Sequence, residues 1–472
     1  MGIIIAGERS GVGKTTLTLA MLAYLQRRGD RVQSFKVGPD YIDPMFHQYV
    51  TARPCRNLDS VLTSEAYVQA CFAEYTQTAE LAVIEGVMGL FDGARDAIAQ
   101  AKVTASPAIV PPSIRCPFGS TAHVAQLLGV PVLLVVDCSR LSQSIAALVA
   151  GYQQFNPAVS IAGVILNRVG SDRHVELLRS ALGSLGIPVL GVVPRQDAIA
   201  IPDRHLGLVP TAELPELDAL IDQLATLAAT WFEWEVLLPL LRVGARVPRS
   251  TPLFPSQAVG TPVRVAIAQD AAFNFYYADN LDQLRSLGGE LIPWSPLRDE
   301  PLPADVQGVI LGGGFPEMFA AQLSDHHTAR QALQRATRAN LPIYAECGGL
   351  MYLSQAIMGF DGQTWDMVGS LPTVAIMGKR LTLGYRQATA LQPSVLVPTG
   401  ATVWAHEFHR SHLSHPSDRP LWQVPTQANE GYVAGSIHAS YLHLHWGATP
   451  ELPQRFLSHC RQELPDQTGD RD

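Results

Sequence analysis

Apolar residues in the first half of the chain fall in short unbroken runs, at 2–6, 81–84 (LAVI), 131–136 (PVLLVV), 161–166 (IAGVIL) and 188–193 (PVLGVV). Runs of this length predict strands buried on both faces. Helix-length segments separate them; the clearest carries Leu17, Leu19, Met21, Leu22 and Leu25 directly after the first run. Such alternation predicts a parallel sheet with helices on both faces. An amphipathic helical stretch over 213–242 closes this half. Residues 243–262 lack periodicity, are rich in Pro, Ser and Gly, and read as a linker. A second set starts at 263–268 (VRVAIA) and continues at 308–311 (GVIL) and 342–345 (PIYA). The expectation is an α/β chain of two doubly wound, mainly parallel-sheet domains, 1–242 and 263–463. Residues 98–118 read as an inserted surface loop and the polar tail after 463 as frayed.

With 472 residues the chain is too long for a single core, which agrees with two domains. Its net charge of −8 gives nucleic acid or an anionic membrane no general attraction, so small-molecule partners are expected. The six cysteines (Cys55, Cys71, Cys116, Cys138, Cys347, Cys460) show no paired or zinc-type spacing, the pattern of a reducing compartment. No apolar run has the length of a membrane span, and the start lacks the features of a signal peptide. A cytoplasmic location is expected, and a homodimer is a candidate assembly.

Two strings carry chemistry. The first, GERSGVGKTT at 7–16, lies between a predicted strand and a predicted helix, the context a phosphate-binding loop requires. Glycines such as Gly11 and Gly13 let successive backbone N–H groups point into one concavity, and the helix N-terminus adds a favourable dipole. Lys14 would bridge terminal phosphates, Thr15 would offer a hydroxyl to Mg²⁺, and Thr16 extends the motif. Five residues separate Gly7 from Gly13, one more than the common spacing. Acidic residues follow in FKVGPDYIDP (Asp40, Asp43), IEGVMGLFDG (Glu85, Asp92) and VVDCSR (Asp137). In an open parallel sheet ligands bind at the carboxyl ends of strands, so these carboxylates are candidates to complete the site. The competing reading for each is a helix cap or a solvated loop residue.

The second string, IYAECGGLMYL at 343–353, sets Cys347 at a turn from strand to helix. That elbow exposes a nucleophile, leaves the following amide of Gly348 available as an oxyanion donor, and favours a thiolate at the helix start. A second donor is available in LGGGFPE at 311–317, from Gly313 or Gly314. The base would come from HASYLHLHW, where strand alternation puts His443 and His445 on one face and spacing does not choose between them.

The second half, roughly 263–450, resembles the triad-type class I glutamine amidotransferases, in which the elbow cysteine forms a γ-glutamyl thioester and releases ammonia. The resemblance implies Cys347 as nucleophile and His443, in YLH, as its base. Many members carry a glutamate two residues after that histidine; here the position is His445, as in the cobyrinic and cobyric acid branch. Glu407, in AHEFH, is a candidate to orient His443.

The first half resembles dethiobiotin synthetase, which shares the longer loop and activates a carboxylate as an acyl phosphate. The fusion, with KVGPDYIDP, IEGVMGLFDG, RHLGL at 204–208 and AHEFHRSH at 405–412, is similar to the cobyrinic acid a,c-diamide synthase family over nearly the whole chain. The resemblance implies ATP as co-substrate, Mg²⁺ as cofactor, and glutamine and a tetrapyrrole such as cobyrinic acid as the other substrates. It implies Asp40, Asp43, Glu85 and Asp92 around Mg²⁺, ATP and the attacked intermediate, with Thr15, Asp43 and Glu85 as metal ligands. Asn167, in GVILNRV, would read the adenine edge, and Lys36, Arg204 and His205 would meet the substrate's negative charge. Rival readings are cobyric acid synthase and a diamide synthase acting on hydrogenobyrinate or nickel sirohydrochlorin. A regulatory P-loop ATPase would explain residues 1–210 but neither Cys347 nor the GGG loop.

Overall fold

The computed structural model describes residues 1–94, 116–195, 203–204, 207–214, 216–244, 252–254, 261–425 and 427–462. Most of the expected inserted loop, most of the expected linker, His205 and the tail lie outside them, as does the side chain of Arg204. The chain divides into two compact units, Met1–Leu253 and Phe254–Asp472.

The first unit holds a seven-stranded sheet in the order β3-β2-β4-β1-β5-β6-β7. Its strands are β1 (Ile3–Gly7), β2 (Val32–Val37), β3 (Arg56–Leu58), β4 (Leu81–Gly89), β5 (Val132–Asp137), β6 (Ile161–Val169) and β7 (Val189–Pro194), and every pairing is parallel. Ile4 of β1 sits between Ile84 of β4 and Val132 of β5, and all three are fully buried. That double burial is why these strands read as unbroken apolar runs. From β1 the chain winds over β4 to reach β2, then returns past β1 to β5. The reversal opens a crevice at the carboxyl ends of β1 and β4, where the glycine loop emerges. Gly13, at φ +95°, ends the loop and caps helix α1 (Lys14–Arg27); helix α2 (Ile42–Thr51) follows β2. A two-residue ribbon, β8 (Asp203–Arg204) with β9 (Gly207–Leu208), lies near the end of the unit.

Two elements depart from the apolar pattern. β2 (VQSFKV) is buried throughout although half of it is polar. Two of its three polar side chains are satisfied internally: the Gln33 amide donates to Ser34 O and Pro54 O, and Lys36 meets carboxylates. The helical stretch expected over 213–242 breaks into Leu217–Trp231 and Trp234–Leu241. Between them Phe232 is extended and bridges Gly191, while Glu233 N–H donates to Leu190 O. Edge pairing with β7 overrides local helix preference there.

The second unit has a parallel core in the order β11-β10-β12-β13-β20, formed by β10 (Val263–Ala268), β11 (Gly289–Trp294), β12 (Gly308–Leu311), β13 (Ile343–Glu346) and β20 (Ile437–Ser440). An antiparallel arm extends it through β19 (Glu430–Ala434), β18 (Pro420–Gln423) and β16 (Leu371–Ala390), with β14 (Ser354–Met358) and β15 (Thr364–Asp366) beyond. β17 (Thr402–Leu413) pairs with both β16 and β21 (Leu442–Leu444). The start of β16 alternates buried and exposed positions, as a sheet wetted on one face does, so it gives no continuous apolar run. This arm matters to the site because β17 lays His406 opposite His443.

Candidate active sites

At the phosphate loop, close approach dictates glycine: a Cβ on Gly7 would lie 2.6 Å from Val12 Cγ2, and Gly11 has φ +77°. The Lys14 ammonium is buried and reaches back to Arg9 O at 3.4 Å. Burial lowers its pKa, and the nearby Lys36 lowers it further. Asn167 donates from Nδ2 to Val12 O at 2.8 Å and accepts from Arg168 N–H, bracing the loop from β6. Thr16, half-buried, shares the first turn of α1 with Thr15.

Next to the loop lies a cluster of buried charge. Parallel register sets Lys36 of β2 beside Glu85 of β4. Lys36 Nζ lies 2.5 Å from Asp43 Oδ2, 2.9 Å from Glu85 Oε1 and 3.6 Å from Asp40 Oδ2. Thr15 Oγ1 is 2.6 Å from Glu85 Oε1 and 3.3 Å from Asp43 Oδ2. On the far side His47 Nε2 meets Glu85 Oε2 at 2.8 Å, and its Nδ1 lies 3.3 Å from Cys55 Sγ. Asp40 accepts the amides of Ile42 and Asp43 and so fixes the start of α2.

Burial alone would neutralise these groups, yet opposite charge wins for most of them. Lys36 is held well above its ordinary value against burial by Asp43, Glu85 and Asp40. Glu85 is held well below the carboxylate range against burial by Lys36 and His47. His47 rises to about 10 against burial, through Cys55 and Glu85. Asp43 alone goes the other way: burial and Asp40 push it up to about 8 against the pull of Lys36.

Three oxygens, Thr15 Oγ1, Asp43 Oδ2 and Glu85 Oε1, are therefore neighbours, and the two carboxylate oxygens also contact the Lys36 ammonium. They are the hard donors Mg²⁺ prefers, and a partial protein shell suits an ion that also takes phosphate and water oxygens. Among the described residues no group of three or more His, Cys, Asp or Glu is arranged to hold a metal.

Other predicted residues fall elsewhere. Lys36 is committed to the carboxylate cluster rather than exposed to a polyanionic substrate. Glu85 sits within β4 rather than after it. Asp137 ends β5 and pairs with Arg168 at 2.7 Å and Arg9 at 3.1 Å, outside the cluster. Against burial, the Ser139 and Arg168 contacts bring it to about 2. Asp92 is exposed and accepts Gly89 N–H at 2.8 Å, closing the turn after β4.

In the second unit Cys347 stands between β13 and the six-residue helix Gly348–Leu353, at φ +45° and ψ −95°. A non-glycine residue held there is strained, the mark of a nucleophile elbow. The glycines after and opposite it permit close packing. A Cβ on Gly348 would lie 3.1 Å from Gly314 N, so the residue after the thiol packs directly on the glycine loop. Gly314 itself, at φ +153°, leaves no room for a Cβ, which would fall 2.1 Å from Ala272 O. Cys347 N–H donates to Ser440 O at 2.7 Å, tying the elbow to β20, and His443 follows three residues on. A Cβ on Gly313 would lie 2.5 Å from His443 Cε1, so the imidazole packs directly on the glycine loop.

The two candidate histidines face different carboxylates. His443 Nδ1 is 3.4 Å from Glu346 Oε2, whereas His445 Nε2 is 3.7 Å from Asp279 and its ring packs on Tyr277. β21 ends at Leu444, and His445 caps the following turn by accepting Gly447 N–H, so the alternation expected for the pair stops between them. Glu407 binds Arg386 at 2.8 Å and His409 at 2.9 Å and is not the partner of His443. Cys347 differs from expectation as well. Burial, with the Glu317, Glu346 and Glu407 carboxylates, pushes its thiol up, so the short helix does not set up a resting thiolate.

Sequence reasoning missed His47, Glu346 and Glu430. Glu430 accepts Ser440 Oγ–H at 2.6 Å and Tyr441 N–H at 3.1 Å, and burial pushes it to about 7. For Glu346 a signal was present, a carboxylate ending a buried strand directly before the nucleophile.

A phosphate loop beside buried carboxylates, joined in one chain to a cysteine–histidine elbow, defines a glutamine amidotransferase fused to a nucleotide-using module. Residues 3–209 match the CobQ/CobB/MinD/ParA nucleotide binding domain and residues 264–451 the CobB/CobQ-like glutamine amidotransferase domain. Cobyrinate a,c-diamide synthases from Synechococcus sp. and Synechocystis sp. are 55% and 51% identical to this chain; each alignment covers 98% of it, and 99% and 93% of the respective relative. A hydrogenobyrinate a,c-diamide synthase from Streptomyces coelicolor is 40% identical, with 97% of each chain covered. The chain belongs to the cobyrinate a,c-diamide synthase family. No helix among the described residues is long and apolar enough to cross a membrane.

Two outcomes follow from these geometries. Lys36→Met leaves Asp43 and Glu85 buried without their cation and should lower hydrogen-exchange protection of the β2 and β4 amides by the equivalent of about 3–5 kcal/mol; unchanged protection would contradict the cluster's structural role. Because burial raises the Cys347 thiol above the ordinary thiol range, its alkylation by iodoacetamide, followed peptide by peptide, should still be climbing at about pH 9. A rate that levels off near neutrality would instead mean a resting thiolate.

Proposed function

We propose that the protein converts the a and c acetate side chains of cobyrinic acid to amides in cobalamin biosynthesis, with ATP activating each carboxylate and glutamine supplying the nitrogen. The observation that carries this reading is the joining of two reactive arrangements in one chain of this family: the Lys14 loop with its buried carboxylates, and the Cys347 elbow with His443. The relatives at 55% and 51% identity are cobyrinate a,c-diamide synthases, which supports the cobalt-containing ring.

At the second unit, His443 takes the thiol proton as Cys347 Sγ attacks the glutamine carboxamide. The amides of Gly348 and of the Gly313–Gly314 loop stabilise the oxyanion, and His443 returns the proton to the departing ammonia. Water then hydrolyses the γ-glutamyl thioester. A raised thiol needs such a base, because little thiolate exists at rest. At the first unit, Gly11, Gly13, Lys14, Thr15 and Thr16 cradle the phosphates, and Asn167 contacts the adenine edge from its place on β6 beside the loop. Thr15, Asp43 and Glu85 would hold Mg²⁺, which when bound offsets phosphate charge. Asp40, Asp43 and Asp92 flank the substrate carboxylate, which attacks the terminal phosphate; ammonia then displaces phosphate from the acyl phosphate to give the amide. The setting is the cytoplasm.

Cys347→Ser should lower glutamine-dependent amidation by about 10⁴-fold or more while ammonia-dependent amidation stays within about twofold of the parent. Lys14→Ala should abolish amidation with either nitrogen source. Loss of both activities in Cys347→Ser would overturn the two-site scheme; the readout is product formation at saturating glutamine or ammonium.

A further inference from the structure

Resting on the roles just given to Cys347 and His443, we infer that Glu346, the residue immediately before the nucleophile, is the positioning carboxylate of the cysteine–histidine pair. The residue two after His443, where many amidotransferases of this type carry a glutamate, is His445, so the structure has to supply the acid from elsewhere.

Three observations carry the assignment. Glu346 Oε2 faces His443 Nδ1 at 3.4 Å, with only 8% and 1% of the two side chains exposed. The other oxygen, Oε1, accepts the Leu444 N–H at 2.9 Å and the Tyr344 hydroxyl. Two donors on one oxygen fix the carboxylate's rotation and leave the second oxygen for the imidazole. Finally, the nearby carboxylates Glu407, Glu430 and Asp279 face other groups: Arg386 and His409; Ser440 and Tyr441; and His445.

The chemistry follows from that placement. A carboxylate at Nδ1 holds the imidazole with its proton there, leaving the Nε2 lone pair to receive the thiol proton. Once the proton has moved, the same negative charge stabilises the imidazolium. Glu346 also disfavours Cys347 ionisation at rest. It therefore disfavours a free thiolate and favours one formed as the proton passes to His443. Because Glu346 and Cys347 are adjacent in the chain, a shift of the elbow moves both together.

Another titratable group facing His443, across the β17–β21 pairing, is His406. Burial and the proximity of His443 hold His406 near 3, so it stays neutral through the working range.

The test compares full-length Glu346→Gln, Glu346→Asp and Cys347→Ser in steady-state glutamine hydrolysis with ATP and cobyrinic acid present. Glu346→Gln keeps shape but loses charge. It should lower kcat by about 10²–10⁴-fold with KM for glutamine little changed. The acid limb of its pH profile should move down by about one unit, because the imidazole becomes less basic. Glu346→Asp should recover part of kcat and of the limb, and ammonia-dependent amidation should be unaffected in both. An unshifted acid limb with near-parent kcat in Glu346→Gln overturns the assignment. So does loss of ammonia-dependent amidation in that variant, which would make Glu346 a purely structural residue. If Cys347→Ser keeps glutamine hydrolysis, the failure lies instead with the nucleophile itself.

Discussion

Everything at the phosphate site depends on one buried cation. The buried Lys36 ammonium sits among Asp40, Asp43 and Glu85, and the strand register of β2 against β4 sets it beside Glu85. Isolated, each of these ions would cost several kcal/mol to bury; together, and with His47 behind Glu85, they become a fixed array. The array holds carboxylate oxygens of Asp43 and Glu85 beside Thr15, next to the glycine loop. Within the array Asp43 is pushed up rather than down, by burial and by the neighbouring Asp40 carboxylate.

The cysteine site is built on backbone constraint rather than on charge. A strained elbow at Cys347, two glycines that tolerate contact no side chain would allow, and a histidine packed on Gly313 bring nucleophile, oxyanion donors and base together. Burial and surrounding carboxylates raise the thiol, so the resting cysteine is little ionised, and in the proposed scheme its activation comes from His443. A cysteine used only when glutamine is in place fits an enzyme whose ammonia must not be wasted.

Much of this was legible in the chain. Strands buried on both faces announce themselves as apolar runs, so β1, β4 to β7, β10, β12 and β13 were visible, and the strings GVGKTT and ECGG fixed Lys14 and Cys347. What escaped was set by tertiary contact. β2 is half polar because Lys36 is satisfied by partners distant in sequence, so no periodicity revealed it. The arm of β16 and β17 alternates, and its pairing with β21 is what separates His443 from His445. His47 and Glu346 looked like ordinary residues of a helix and a strand end; their importance lies in which oxygen they face. Glu407 attracted notice through its motif, yet its charge is taken by Arg386 and His409.

The central claim is that one chain couples glutamine hydrolysis to ATP-driven amidation of a defined pair of carboxylates. Mass spectrometry of the product from cobyrinic acid, ATP and glutamine labelled with ¹⁵N in the side-chain amide tests it directly. The account predicts a product carrying two new amides, both labelled, with one ATP consumed for each. A product with four new amides, or amides without the label, would contradict it.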